Sequence, residues 1–136
     1  LEAGVQPRWP HRGAFFQMVS GGNVCKRGTW GGDPADLVKP LPGEVVVYKC
    51  IFSAFASSGL QEVLDSRGIT DLILSGVSTD AVVESTHWDA CDRGFSNILA
   101  EDCCVCATQE AHDITVQRMA GRCDIASAAD IIAALG

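Results

Sequence analysis

The sequence predicts an α/β fold built on a mainly parallel sheet with helices in the crossovers. Three observations predict it. Residues 45–49 and 71–75 are short, continuous apolar runs, Val-Val-Val-Tyr-Lys and Asp-Leu-Ile-Leu-Ser, of the kind that strands buried on both faces require. Segments of helical period follow them, two stopped by Gly68 and Gly94. From residue 44 to the end the two patterns alternate, which is the rhythm of right-handed β–α–β crossovers.

Residues 1–44 read as turns. Pro7, Pro10, Gly21, Gly22, Gly28, Gly31, Gly32, Pro34, Pro40, Pro42 and Gly43 leave room only for short regular pieces, at 14–19 and 34–38. The first strand is expected at 45–49, followed by a helix over 60–67 and a second strand at 71–75. A helix capped by Thr79 or Asp80 is expected to run through Cys91, with a third strand at 95–100. A helix over 108–119, a short strand at 123–126 and a last helix capped by Ser127 complete the chain. Residues 1–136 therefore read as one domain, a loop-rich segment 1–44 followed by βα units over 45–136.

Charge excludes several functions. Ten basic against seventeen acidic residues give a net charge of -7 over 136 residues, which argues against a phosphate-backbone or polybasic membrane contact. No apolar run approaches the about 18 residues of a membrane span. The expected partner is a small molecule, with neither nucleic acid nor membrane. No signal-peptide pattern opens the sequence, and the chain starts on Leu1, which points to a longer or processed reading frame.

Seven cysteines are present, an odd number in a chain apolar enough to form a core without disulfide staples. A reducing, cytoplasmic setting is expected. Cys103, Cys104 and Cys106, with His112 nearby, invite a zinc reading. The spacing matches no usual chelating loop and no second pair follows, so small buried residues at a strand end are the plainer reading.

In parallel sheets ligands gather at the carboxyl ends of strands. That rule selects Lys49, the turn Gly76 to Asp80, and Asp102. Lys49 reads either as a stem snorkelling to water or as a fixed cation for an oxyanion. At the turn, the first amides of a helix are suited to an oxyanion hole. Its hydroxyls are Ser78 and Thr79, and neither has a histidine close in sequence to act as base. His87, two turns along, is expected at the surface or an interface, with Trp88 beside it.

Two segments resemble the isochorismatase-like hydrolases, the superfamily of nicotinamidases, N-carbamoylsarcosine amidases and isochorismatases. The first runs from Pro40 through Lys49 to Ser53-Ala54-Phe55, the second from Gly68 through Gly76-Val77-Ser78-Thr79-Asp80-Ala81-Val82-Val83 to Ala90. Glu101-Asp102 and Glu110-Ala111-His112 fit the downstream pattern. The resemblance implies a three-layer α/β/α sandwich with a mainly parallel sheet, and a triad of aspartate, lysine and cysteine. Lys49 then matches the family lysine, and Val77-Ser78 matches a non-proline cis peptide. Phe55, Val77, Ser78, Thr79 and Ala81 are expected to line the substrate pocket and oxyanion region. The loops carrying Phe16 and Trp30 cover the pocket in relatives, so these rings either stack on a flat substrate or anchor the loop. Dimers or tetramers are expected.

Two departures qualify the resemblance. Val82 occupies the nucleophile position, and a valine side chain has no proton to give and no lone pair to attack with. The family aspartate lies on an earlier strand with no match here. The aromatic and histidine metal site also comes from that part, so no metal and no cofactor is expected. Three outcomes follow: a longer polypeptide supplies the strand, a partner supplies it, or the isolated chain is poorly stable, with an unpaired apolar edge beside residues 71–75. The function expected is hydrolysis of a small metabolite, at an amide or other C–N bond or a vinyl ether, without thiol chemistry. The alternative is a non-catalytic binding or assembly module.

Overall fold

The computed structural model describes residues 13–22 and 24–136. Pro7 and Pro10 lie outside the described residues. The chain divides into two compact units, 1–50 and 51–136.

In the first unit, helix α1 spans Ala14–Gly21 and single 3-10 turns occupy Trp30–Gly32 and Asp36–Val38. Gly32 is obligatory for the packing of its loop, because a Cβ there would sit 2.2 Å from the Lys26 carbonyl oxygen. The Arg27 guanidinium lies 3.9 Å above the Tyr48 ring. Residues 45–49 form no strand, contrary to the sequence expectation. Val45 and Val46 are 45% and 46% exposed. The physical reason is that β propensity expresses itself only in a ladder, and among the described residues no strand pairs with this segment. This segment lies within the first unit, which ends at Cys50.

The second unit holds the sheet. Helix α2 (Leu60–Ser66) precedes strand β1 (Asp71–Val77), a π turn (Thr79–Val83) runs into helix α3 (Glu84–Asp92), and strand β2 (Ser96–Val105) follows. Helix α4 (Gln109–Met119), strand β3 (Asp124–Ala126) and helix α5 (Ala128–Leu135) complete it. Gly68 and Gly94, both at positive φ, release the chain after α2 and α3. Thr108 and Ser127 cap α4 and α5 through their hydroxyls, accepting from the Ala111 and Asp130 amides.

All pairings are parallel, in the order β1-β2-β3. An order without reversal puts the crossover helices α3 and α4 on one face. Leu72 and Leu74 of β1 point there together. Leu72 packs against the cluster of Phe55, Leu64 and Ala90, and Leu74 against that of Val83, Leu99 and Met119. The β1–β2 register runs from Ile73 beside Ile98 to Leu74 beside Leu99, then shifts so that Gly76 meets Cys104 and Val77 meets Val105. Strand β2 therefore continues past Asp102, where the sequence places its end. Asp102 accepts from the Ala128 amide at 2.8 Å and caps α5 instead of closing a strand. Strand β1 is the edge of the described sheet, with Ile73 49% exposed.

Candidate functional site

The site grows from the end of β1. The peptide between Val77 and Ser78 is cis. Beyond it the chain enters a π turn, a form often met at functional sites. The Ser78 carbonyl collects three amides, from Ala81 at 3.3 Å, Val82 at 3.0 Å and Val83 at 3.1 Å. The sequence assigned the first-turn amides around Ala81 and Val82 to an oxyanion hole. In the structure those two donate to Ser78, because the widened turn folds them back onto its own carbonyl. Val77 is 69% exposed, Ser78 and Val82 are half-buried, and Thr79 is fully buried.

The Thr79 hydroxyl lies 3.0 Å from Nδ1 of His112, half-buried on α4. The histidine that the local sequence does not provide thus arrives from thirty-three positions downstream. Parallel pairing of Val77 with Val105 sets Ser78 alongside Cys106. The Ser78 hydroxyl, and after it the Cys106 thiol, hold the exposed Asp80 carboxyl below the usual carboxylate range.

A second support comes from α3. Thr86 donates to the Val82 carbonyl at 2.7 Å and accepts from the Ala54 amide at 3.1 Å. Ser53 donates to the Asp89 carboxylate. These bonds dock residues 53–55 along α3. Phe55, expected in the pocket, is instead a core residue, 6% exposed and stacked on Phe95 at 5.7 Å. Its apolar ring is worth more against Leu64 and Ala90 than in water.

His87 is a further correction. It is fully buried, not at the surface. Desolvation pushes its pKa down, against an upward pull from Glu84, with Arg122 adding to the fall. Both ring nitrogens lie near the Cys91 sulfur, at 3.7 and 3.8 Å. Trp88 is half-buried under the Arg122 guanidinium, 5.3 Å from the ring centroid.

In the first unit, Lys49 is exposed, and partial desolvation lowers its pKa below the ordinary lysine value while Cys50 and Cys25 raise it. Trp30 is 96% exposed. Cys25, Cys91, Cys103, Cys104, Cys106 and Cys123 are free thiols. Cys104 donates to the Ala100 carbonyl at 3.4 Å, and burial pushes its thiol pKa up. Among the described residues no group of three or more histidine, cysteine or acidic side chains is placed to hold a metal. No helix among them is long and apolar enough to cross a membrane.

Comparison with known proteins bears on this turn and its sheet. The isochorismatase domain matches residues 5–131. The chain belongs to the isochorismatase family. It is 35% identical over 126 residues to the ureidoacrylate amidohydrolase RutB of Caulobacter segnis, covering 88% of this chain and 51% of that protein. An isochorismatase-like hydrolase from Alkaliphilus metalliredigens superposes with a TM-score of 0.78 at 29% identity, over 80% of this chain and 60% of that one. The nicotinamidase PncA of Bacillus subtilis superposes with a TM-score of 0.70 at 26% identity, over 76% of this chain and 62% of that one. The chain spans about half the length of the curated relatives it matches. The isochorismatase-like α/β fold that the sequence predicts is therefore the fold of this family.

Proposed function

We propose that this protein takes part in hydrolysing a C–N bond of a small amide or ureido metabolite, by a route without a thiolate at position 82. The observation that carries the reading is its 35% identity, across 88% of the chain, to an enzyme named ureidoacrylate amidohydrolase. The resemblance read from the sequence puts Val82, with its isopropyl group, where the family nucleophile is expected.

In this reading water adds to the carbonyl carbon. By the family resemblance, Lys49 is the cation expected to offset the charge that develops on the carbonyl oxygen. The C–N bond breaks as the leaving nitrogen takes a proton, and an acid and an amine, or ammonia, depart. By the same resemblance, Val82 stands at the position that faces the reacting carbon. An aspartate supplied from outside the matched segment is the expected proton carrier.

The test is turnover of ureidoacrylate, with nicotinamide as a second probe, by the chain and by its Lys49→Ala variant, before and after alkylation. Turnover that survives iodoacetamide and disappears with Lys49→Ala supports the reading. Turnover abolished by alkylation places the nucleophile on one of the seven cysteines and overturns it. Absence of turnover favours the second reading, a non-catalytic binding or assembly module, for which the inert Val82 is the specific observation.

A further inference from the structure

We propose that His112 is a positioning residue, which through the Thr79 hydroxyl fixes the turn that presents position 82. A threonine hydroxyl 3.0 Å from an imidazole nitrogen has two chemical readings. One is a nucleophile with its base, as in hydroxyl–histidine pairs of acyl-transfer enzymes. The other is a clamp. Burial decides between them. Thr79 has no exposed surface, so its oxygen cannot reach a substrate carbon at bonding distance, whatever its protonation. The imidazole acts on Thr79, and Thr79 acts on the backbone.

The rest of α4 supports the clamp. Thr79 begins the π turn whose amides at positions 81, 82 and 83 converge on the Ser78 carbonyl. That single acceptor shares three donors, so the turn depends on an outside constraint to hold its shape. His112 supplies one. Two turns further along α4, Arg118 supplies another by pairing with Glu84 at 2.8 Å, at the start of α3. Val83, between these two grips, is 3% exposed and packs with Met119 of α4. The entry to α3 is thus held against α4 at a polar contact, an apolar contact and an ion pair, and the polar contact is the one at the first residue of the π turn.

The kinetic consequence rests on the hydrolase reading above. The structural consequence does not. Hydrogen exchange in the full chain reads the latter. His112→Ala is expected to speed exchange of the Val82 and Val83 amides about tenfold, the scale of one lost hydrogen bond, with Leu99 in β2 unchanged. His112→Asn returns them toward the wild-type rate, because asparagine keeps a hydrogen-bonding group near the place of Nδ1. Unchanged exchange at Val82 and Val83 in His112→Ala overturns the proposal. So does equal acceleration at Leu99, which would mean general loosening.

Kinetics with ureidoacrylate supply the second readout. His112→Ala is expected to lower kcat about 10–100-fold with KM within about threefold, as misplacement of a reacting centre does. His112→Asn is expected to recover most of it. An asparagine variant as slow as the alanine variant would make His112 a proton carrier and overturn the positioning role. If the wild-type chain does not turn over ureidoacrylate, the functional reading fails, and the exchange rates still decide the clamp.

Discussion

Replacing Thr86 by valine tests whether one hydroxyl holds residues 53–55 to the helix entry. Thr86 is 8% exposed, and its oxygen serves the Ala54 amide at 3.1 Å and the Val82 carbonyl at 2.7 Å. Valine keeps the shape and removes both bonds. The Ala54 N–H is left half-buried without its acceptor, and such an orphaned donor costs about 1–3 kcal/mol. A loss of about 2 kcal/mol corresponds to a fall in Tm of about 8–16 °C for a unit the size of 51–136. Urea titration measures the loss as a lower midpoint at unchanged slope. Hydrogen exchange at Ala54 locates it. Thr86→Ser keeps the hydroxyl and should leave Ala54 protected, while losing about 0.8 kcal/mol for the missing methyl. If the Ala54 amide exchanges no faster in Thr86→Val than in the wild type, the bridge does not carry the load assigned to it.

Two further outcomes follow from burial. His87 is neutral in the fold because desolvation lowers its pKa below 6.5, so on acidification the unfolded chain takes up the proton first. Stability is therefore full above about pH 7.5 and declines as pH falls through 6.5 toward the lowered native value. Urea midpoints across that range should show the decline in the wild type and lose much of it in His87→Leu. Leu99→Ala empties a site with no exposed surface between Val83 and Met119 and should cost about 2–5 kcal/mol. Leu41→Ala, at a side chain 68% exposed, should change the same denaturation midpoint by less than about 0.5 kcal/mol equivalent.

The helices and the later strands are legible along the chain because their signals are local. Gly68 and Gly94 adopt the positive φ that ends a helix, and Ser127 reaches back to its own helix amides. Strand β2 is longer than its apolar run, because its last residues pair with Gly76 and Val77 after a register shift that only the neighbour defines. Residues 45–49 show the converse, with strong β propensity and no ladder to join. Phe55 and His87 were misplaced for a related reason. A loop aromatic and a helical histidine have no burial of their own until the tertiary fold supplies it, as α2, Ala90 and Phe95 do for Phe55.

By itself the sequence determined the class of fold, the alternation of helix and strand in residues 51–136, and the turn after Val77, since spacing and glycine placement act over a few residues. It also determined that position 82 holds an inert side chain. Only the tertiary structure decided that Thr79 is fully buried and answered by His112, and that Asp102 serves a helix terminus. Those contacts join residues far apart in the chain, and no local rule of propensity or period carries information about which distant side chain will arrive.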